Sequence, residues 1–391
     1  MPWNELKPMD QRIHFISGYL NGNRSFSQLC QSFGISRKTG YKWVRRYQEL
    51  GVEGLVERSR RPHSHSRALP RTIQRRIIKL RTESLITPGA KKIQARLRTL
   101  YPDVEPPSIS CIYNILNREG LVHKQRKRCR VPLYTKPLLR SAQPNDLWSV
   151  DFKGQFKLGN GQWCYPLTVM DDFSRYLIGC VGQKNVRTQG ARVSFKRLFQ
   201  DYGLPLRIRS DNGAPFASRA TAGLSSLSVW WIKLGIIPER IAPGKPQQNG
   251  KHERMHRTLK EAATRPPCTN FSHQQHQFER FKQEYNQERP HESLAQQTPD
   301  SCYHTSTRPY PKTMPKQEYP SYFEVKKVRS SGVIYWRNGQ VYISHLLNGE
   351  WIGLYEVDDG IFNVYFGCYK LGSFDIRKKT VGACNYWSLK V

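Results

Sequence analysis

Three acidic residues stand out in a chain that is otherwise strongly basic. Asp151 lies near the end of an alternating, strand-like run (WSVDF), Asp211 begins an Asp-Asn-Gly turn after a second such run, and Glu253 lies in a helical run (KHERMHRTLK). Carboxylate oxygens are the ligands that hard divalent cations such as Mg²⁺ prefer. These three residues are therefore our candidate catalytic and metal-binding set.

Three carboxylates in one place repel one another, and a pair of divalent cations would cancel that repulsion. Two Mg²⁺ or Mn²⁺ ions can activate an attacking oxygen and stabilise a leaving oxygen at a phosphodiester. The sequence contains no P-loop or G-x-S-x-G motif that would indicate another chemistry. By spacing alone, Asp211 could equally be an ordinary turn residue and Glu253 an ordinary exposed helix residue, so both interpretations stay open here.

The third acid lies on a helix that we predict from about residue 248 to residue 264. Asn249, Glu253, Arg257 and Lys260 are spaced at i, i+4, i+8 and i+11, which places them on one helix face. The opposite side can pack against a sheet through Met255, Leu259 and Ala262. The exposed face would hold one carboxylate between cations, which suits a metal ion beside a phosphate backbone.

A layered α/β core would position these acids. Strand and helix patterns alternate between residues 144 and 305, which is typical of a sheet covered by helices. The predicted strands are 146–152, 165–170, 176–181, 206–210 and 236–241, and the further predicted helices are 191–202 and 224–234. Because Asp211 follows its strand directly, we expect its carboxylate at the mouth of this core.

The first 56 residues have the pattern of a helix-turn-helix DNA-binding domain. Ser25 and Ser36 can cap two successive helices, and Gly34 between them suits a left-handed turn. The candidate DNA-contacting residues on the second helix are Arg37, Lys38, Lys42, Arg45 and Arg46. We expect them to face the major groove and its phosphates. A small helical bundle with a solvated charged face is the alternative interpretation.

Changes in composition divide the rest of the chain. We interpret 57–69 as a basic linker, 70–122 as a second helix-turn-helix or winged module, 123–143 as a basic tether, 144–305 as the core and 306–320 as a proline-rich linker. The tail, 321–391, contains short β-rich runs separated by Asn-Gly and Asp-Gly turns, which predict hairpins in a small all-β barrel. The tail would either contact DNA or another subunit, or only stabilise the core.

The composition indicates a polyanionic partner. The 391 residues include 63 Lys and Arg against 30 Asp and Glu, a formal net charge of +33, which double-stranded DNA would neutralise. No apolar run is long enough to span a membrane, and residues 1–10 lack a signal-peptide pattern, so we expect a cytoplasmic protein without a membrane partner. Nine scattered cysteines favour reduced thiols over a disulfide framework, and the lack of a C-x-x-C pair means that no structural zinc site is indicated.

Five segments of the core resemble a known family. They are WSVDFKG, YPLTVMDDFSRY, RIRSDNGAPFAS, PGKPQQNGKHERMHRTLK and YNQERPHESL. They resemble the retroviral-integrase-like catalytic core of bacterial insertion-sequence DDE transposases, and FGISRKTGYKWVRRY is similar to the helix-turn-helix of that family. The resemblance implies a multidomain protein with a ribonuclease-H-like core, in which Asp151, Asp211 and Glu253 form a DDE triad that binds two Mg²⁺ or Mn²⁺ ions.

The resemblance also implies a function. It indicates a DNA transposase that binds the terminal inverted repeats of its element and catalyses Mg²⁺-dependent strand cleavage and strand transfer. Arg257 and Lys260 correspond to basic positions that related integrases place against DNA, and Asn249 on the same face joins them as a candidate contact. We expect a homodimer or a higher homo-oligomer, no nucleotide cofactor, and a bacterial, nucleoid-associated location. The alternatives are a DNA-binding regulator with an inactive core and a structure-specific or RNA–DNA hybrid nuclease that shares the fold.

Three details refine this resemblance. Forty-one residues separate Asp211 from Glu253, more than in retroviral integrases, and the extra length near 218–228 predicts an enlarged loop or helix. The zinc-binding His/Cys head of retroviral integrases is absent, which favours a transposase. Asp171 and Asp172 compete for a ligand role, but we interpret them as a turn in which Asp172 lies near Arg175.

Overall fold

The computed structural model describes residues 8–59, 69–122, 141–218, 220–244, 246–337, 339–378, 386–387 and 389–391. The chain forms two compact units, Met1–Leu69 and Pro70–Val391. The predicted basic linker (57–69) and basic tether (123–143) lie mostly outside the described residues. No helix within the described ranges is long and apolar enough to cross a membrane.

The first unit is helical. It contains α1 (Pro8–Leu20), α2 (Phe26–Ser32) and α3 (Arg37–Leu50), followed by a 3-10 turn at Gly51–Leu55. Ser25 caps α2, and Ser36 caps α3 by accepting a hydrogen bond from the backbone amide of Thr39 at 3.2 Å. α3 approaches α2 closely at Gly40, where a Cβ atom would lie 2.7 Å from Cys30 Sγ. The helix-turn-helix arrangement expected from the sequence is confirmed.

The second unit begins with three further helices, α4 (Arg71–Thr82), α5 (Ala90–Leu100) and α6 (Ile109–Arg118). The loop between α4 and α5 is bound to the core that follows. Glu284 accepts hydrogen bonds from the backbone amides of Leu85 at 2.8 Å and Ile86 at 2.7 Å, and Arg96 Nη2 lies 2.6 Å from Glu288 Oε2. The three helices are therefore anchored on the core by two carboxylates.

The core is built on one mixed sheet. Its strands are β1 (Leu147–Phe152), β2 (Phe156–Lys157), β3 (Trp163–Asp171), β4 (Leu177–Gln183), β5 (Arg207–Ser210) and β6 (Ile237–Arg240). β3 pairs antiparallel with both β1 and β4, whereas β1, β5 and β6 run parallel to one another. Asp151 on β1 lies opposite Thr168 on β3. Because β1 and β5 are parallel neighbours, the strand that carries Asp151 lies beside the strand that leads into Asp211.

Helices cover both faces of this sheet. They are α7 (Thr188–Tyr202), α8 (Ser226–Lys233), α9 (Gly250–Ala263) and α10 (Phe271–Gln283), with the short α11 (Pro299–Cys302) after them. Phe195 of α7 and Trp231 of α8 share a buried cluster with Trp148 of β1. On the other face, Met255 of α9 packs with Phe278 of α10. The layered α/β core expected from the sequence is confirmed.

The tail folds as two sheets. One has the order β12-β11-β10-β7, formed by β7 (Glu324–Lys327), β10 (Trp351–Asp358), β11 (Ile361–Phe366) and β12 (Tyr369–Asp375). The other has the order β13-β9-β8, formed by β8 (Val333–Trp336), β9 (Gly339–Tyr342) and β13 (Tyr386–Trp387). The predicted closed barrel is not found among the described strands. Among the described strands, β8 follows a tight turn at 329–332 and pairs with β9 and not with β7, so no ladder of hydrogen bonds joins the two sheets.

The tail packs on the segment that separates Asp211 from Glu253. Val229 and Ile232 of α8 share one buried cluster with Ile352 and Phe366 of the tail. Lys233 of α8 forms an ion pair with Glu350. The extra length that the sequence showed near 218–228 is occupied by a 3-10 turn at Thr221–Gly223 and the start of α8. This segment is the surface on which the tail packs.

Candidate active site

Each of the three predicted acids lies on a different element of the core. Asp151 is the penultimate residue of β1, Asp211 directly follows β5, and Glu253 lies in the first turn of α9. β1 and β5 are parallel neighbours with Ser149 opposite Arg209, so Asp151 and Asp211, two residues further along each strand, reach the same edge of the sheet. The structure therefore brings the two aspartates to one end of the core.

The charges of all three acids are coupled. Burial and, to a smaller extent, the negative charges of Asp211 and Glu253 raise the pKa of Asp151 to about 7, although the hydrogen bond from the Phe152 amide and the charge of Lys153 act in the opposite direction. A carboxylate acts on the pKa of another only when the two are near in space. Glu253 on α9 therefore lies in the neighbourhood of the two aspartates, although it is remote from them in sequence.

The donor atoms of this set suit a hard divalent cation, but the set is open. Among the described residues, no three Asp, Glu, His or Cys side chains lie close enough to enclose a metal ion. Asp211 Oδ1 accepts a hydrogen bond from the Gly213 amide at 3.1 Å, and the Glu253 side chain is exposed. Mg²⁺ keeps several waters and shares few protein carboxylates, so an open set of three carboxylates fits it. Asp151, Asp211 and Glu253 are the residues that would hold it.

Two hydrogen bonds order the path from Asp211 to α9. Asn212 Nδ2 donates to the Ile241 carbonyl at 2.9 Å, which ties the Asp211 turn to the end of β6. Gln248 Oε1 accepts from the Ala242 amide at 2.7 Å, which closes the loop just before α9. These two hydrogen bonds therefore order the turn that holds Asp211 and the turn that precedes the helix of Glu253.

Two buried histidines lie under the acids and were not identified from the sequence. His252 and His256 occupy the sheet-facing side of α9, and both Nε2 atoms lie 2.7 Å from Thr168 Oγ1. His252 Nδ1 lies 2.8 Å from Ser149 Oγ, and His256 Nδ1 lies 3.6 Å from Asp151 Oδ2. We call Ser149, Thr168, His252 and His256 the histidine network. It links β1, β3 and α9 directly beneath Asp151.

Both imidazoles of the histidine network are neutral at physiological pH. Burial lowers the pKa of His252 to about 3, and burial together with the neighbouring histidine also lowers the pKa of His256. A signal was present in the sequence, because both histidines fall in the same helical phase as the buried residues Met255 and Leu259. Histidines at spacing i, i+4 on an apolar face need polar partners on the packed element, and here Thr168 is that partner.

The two competing acids are engaged in the turn after β3. Asp171 accepts hydrogen bonds from the amide and hydroxyl of Ser174. Asp172 Oδ2 lies 2.6 Å from Lys251 Nζ, and Asp172 Oδ1 lies 3.8 Å from Arg175 Nη1. Burial would raise the pKa of Asp172, but the hydrogen bond and charge of Lys251 hold it below its usual value. Asp172 is thus an ion-pair partner that fastens the start of α9.

The predicted polar face of α9 is only partly formed. Glu253, Arg257 and Lys260 are exposed on the helix, as their spacing predicts. Asn249 differs, since only 7% of its surface is exposed. The reason is local, because residues Pro246–Asn249 form a 3-10 turn and α9 begins at Gly250, which takes Asn249 out of the helical phase of the other three. The prediction that Asn249 belongs to an exposed face is wrong.

The five predicted basic residues of α3 are not equivalent. Arg37, Lys38, Lys42 and Arg45 are exposed, whereas Arg46 is half-buried. Arg45 Nε lies 2.8 Å from Glu49 Oε1 on the same helix. The Arg46 guanidinium lies 5.1 Å and Lys42 Nζ 4.6 Å from the centre of the Trp43 ring. Arg46 therefore packs within the unit more than the other four.

A tyrosine on the exposed face of α3 was missed. Tyr41 is 59% exposed, and its ring stacks on Phe26 of α2 at 4.1 Å between centres. It lies one turn beyond Arg37 and one turn before Arg45, on the face that carries the basic residues. Candidate contacts that are selected by charge alone do not include an aromatic residue such as Tyr41.

Comparison with known proteins gives matches along most of the chain. Residues 141–246 and 234–299 match two families described as integrase core domains. Residues 11–63 match a helix-turn-helix domain, and residues 39–116 match a homeodomain-like domain. The integrase core matches include all three candidate acids.

Three similar proteins illustrate the relationship. An uncharacterized 31.7 kDa protein of insertion element IS407 from Burkholderia multivorans is 30% identical over 185 residues, which cover 47% of this chain and 64% of that protein. The transposase for transposon Tn552 of Staphylococcus aureus is 22% identical over 280 residues, covering 65% of this chain and 55% of that protein. The HTLV-2 integrase catalytic core domain, solved in complex with magnesium, is 18% identical with a TM-score of 0.34, covering 42% of this chain and all of that domain.

This chain thus spans less than two thirds of the length of either relative matched by sequence. The domain matches are nevertheless consistent with one another, because along the chain the helix-turn-helix domains precede an integrase core. They confirm the resemblance indicated by the sequence motifs. The chain contains helix-turn-helix domains and an integrase core, and it is similar to proteins of bacterial insertion elements and to a transposon transposase.

Proposed function

We propose that this protein is a DNA transposase that cuts and joins DNA strands at a DDE triad of Asp151, Asp211 and Glu253. The observation that carries the proposal is the coupling of these three carboxylates at one edge of an integrase core, where the charges of Asp211 and Glu253 help raise the pKa of Asp151. Acids held together against their own repulsion are typical of a site that binds cations and phosphates.

In this proposal the helix-turn-helix domains bind the terminal inverted repeats of the element in double-stranded DNA. Exposed Arg37, Lys38, Lys42 and Arg45 contact the groove and its phosphates, and Arg46 supports them through Trp43. Arg257 and Lys260 follow Glu253 along the exposed face of α9, so DNA bound there lies beside the acids. Two element ends must meet for transposition, which requires a homodimer or a higher homo-oligomer.

The chemistry is hydrolysis followed by transesterification. Asp151, Asp211 and Glu253 would hold two Mg²⁺ or Mn²⁺ ions, which when bound supply Lewis-acid stabilisation of the phosphodiester oxygens. Water cleaves one phosphodiester and leaves a 3′-hydroxyl, and this hydroxyl then attacks a target phosphodiester in line. One phosphodiester forms as another breaks in the joining step, so the reaction needs no nucleotide cofactor. The protein would act in the bacterial cytoplasm, on the nucleoid.

Strand cleavage and joining on oligonucleotides that carry the element ends test this proposal. With Mg²⁺ and the full chain, Asp211→Asn should lower both activities by at least about a hundredfold, because one of three cation-holding carboxylates is lost. Asp201→Asn is the matched control, since Asp201 is exposed on α7 and should leave both activities unchanged.

Equal activity of wild type and Asp211→Asn would contradict the triad. Tight binding to the ends without any change in the DNA would instead favour a DNA-binding regulator with an inactive core. Cleavage of RNA–DNA hybrids without strand joining would favour a hybrid nuclease.

A further inference from the structure

The histidine network is fully buried, and its protons can be counted. Ser149, Thr168, His252 and His256 are all buried, and each of the hydroxyls and imidazoles makes at least one short contact within the network. Each neutral imidazole carries one N–H and one bare nitrogen, and each hydroxyl carries one proton and can accept at its lone pairs. Four protons must therefore account for all contacts of the network.

Thr168 decides how these protons are distributed. Its hydroxyl contacts both Nε2 atoms at 2.7 Å and the Asp151 carbonyl at 3.0 Å, and it can donate to only one of them. If it donates to the carbonyl or to His252, His256 must donate through Nε2, and the bare Nδ1 of His256 then faces Asp151 Oδ2 at 3.6 Å. When Asp151 is ionised, the state in which it holds a cation, its carboxylate oxygen repels a lone pair directed at it.

The other distribution satisfies every group. Ser149 donates to His252 Nδ1, His252 donates through Nε2 to Thr168, and Thr168 donates to His256 Nε2. The single N–H of His256 is then on Nδ1, directed at Asp151 Oδ2. The competing contacts, from Ser149 to the Met170 carbonyl at 3.2 Å and from Thr168 to the Asp151 carbonyl at 3.0 Å, are the longer ones.

We propose that His256 is a positioning residue that presents Nδ1–H to the Asp151 carboxylate, with its tautomer fixed by Thr168. The inference rests on the proposed function, because it gives Asp151 the role of a cation-holding acid. The 3.6 Å separation is longer than a hydrogen bond, so the N–H acts as a dipole that orients the carboxylate. A buried imidazole behind a ligand carboxylate fixes that ligand before the cation arrives.

The tautomer can be measured directly on the wild-type full chain. Two-bond ¹H–¹⁵N correlation spectra of protein labelled at histidine nitrogens distinguish Nδ1–H from Nε2–H, and spectra of His256→Gln and His252→Gln assign the two rings. We expect Nδ1–H for His256 and Nε2–H for His252. An Nε2–H tautomer of His256 would overturn the proposal, whatever the variants do.

Metal affinity gives a second readout. Calorimetric titration of the full chain with Mn²⁺ should show about tenfold weaker binding for Thr168→Val, the scale typical of groups that orient metal ligands, and near wild-type binding for Thr168→Ser. Ser149→Ala is the matched control, because it removes a buried hydroxyl from the far end of the same network. Thermal unfolding of each variant shows whether it is folded.

The outcomes separate this inference from the proposed function. If Asp211→Asn loses Mn²⁺ binding while Thr168→Val and Ser149→Ala both bind like wild type, the triad stands and the role of His256 is refuted. If Asp211→Asn binds Mn²⁺ like wild type, the triad itself is wrong. If Thr168→Val and Ser149→Ala weaken binding equally, the network is only structural and the proposal is overturned.

Discussion

At the residue scale, the three acids and the two histidines beneath them differ in how far the sequence predicted them. Asp151, Asp211 and Glu253 follow strands or lie on a helix face, so their approximate placement could be inferred from periodicity and from the family resemblance. His252 and His256 could not be placed that way, because their roles depend on Thr168, which lies 84 and 88 residues earlier in the chain. Pairing across a sheet brings such groups together, and it is not visible in local spacing.

The raised pKa of Asp151 predicts how the stability of the metal-free protein depends on pH. The pKa is about 7 in the folded protein against 3.8 ordinarily, so the folded protein binds this proton more tightly than the unfolded chain. The stabilising contribution is therefore complete below about pH 4 and is lost as the pH rises through 7, at about 1.4 kcal/mol per unit in between.

Urea unfolding with EDTA between pH 4 and pH 8 checks this prediction. Wild type should lose stability over this range more steeply than Asp151→Asn, whose amide does not titrate. Asp201→Asn, with its exposed side chain, should follow the wild-type slope. Parallel slopes for wild type and Asp151→Asn would show that Asp151 has an ordinary pKa.

At the scale of elements, capped helices were predicted well and junctions were not. Ser25 and Ser36 cap the helices that the sequence assigned to them, because capping is a local hydrogen bond. The helix α9 begins at Gly250, two residues after the predicted start, since a 3-10 turn precedes it and moves Asn249 off the helix face. The small all-β barrel is not confirmed for a similar reason, because hairpin turns specify neighbouring strands but not whether two sheets join.

The contact between the α4–α5 loop and the core could not be predicted from the sequence either. It leads to a testable prediction. Glu284 accepts the backbone amides of Leu85 and Ile86, so Glu284→Ala leaves two amides without their partner. We expect a loss of about 1–3 kcal/mol in the free energy of unfolding and faster hydrogen exchange at these two amides.

Glu279→Ala on the same stretch of chain provides the control. Glu279 is exposed, and within the described part of the chain it accepts a hydrogen bond only from the neighbouring Gln275 side chain, so its removal should change stability little. Exchange mass spectrometry resolves the peptide that contains residues 85 and 86. Unchanged exchange there in Glu284→Ala would mean that the carboxylate does not hold the loop.

At the scale of the molecule, the net charge indicated a nucleic-acid partner, and periodicity indicated the class of each domain. What the sequence did not show is which domains share a core. The sequence left open whether the tail contacts DNA or another subunit or stabilises the core, and in the structure Ile352 and Phe366 bury against Val229 and Ile232 of α8. Shared burial depends on long-range packing, which a strand pattern does not specify.

A truncation tests this packing. A chain that ends at residue 320 should unfold at a lower temperature than the full chain and tend to aggregate, because the apolar side of α8 becomes exposed. A chain that begins at Pro70 lacks the other compact unit and should keep the melting temperature of the core. Equal melting of the chain ending at 320 and the full chain would contradict a shared core.

The surface on which the tail packs lies within the stretch of chain between Asp211 and Glu253, and this has a consequence for evolution. Relatives cannot exchange their tails by recombination unless the residues of α8 that face Ile352 and Phe366 are exchanged too. Viable chimeras of insertion-sequence proteins should therefore carry residues 221–233 and 321–391 from the same parent, although the codons for Glu253 and much of the core lie between them.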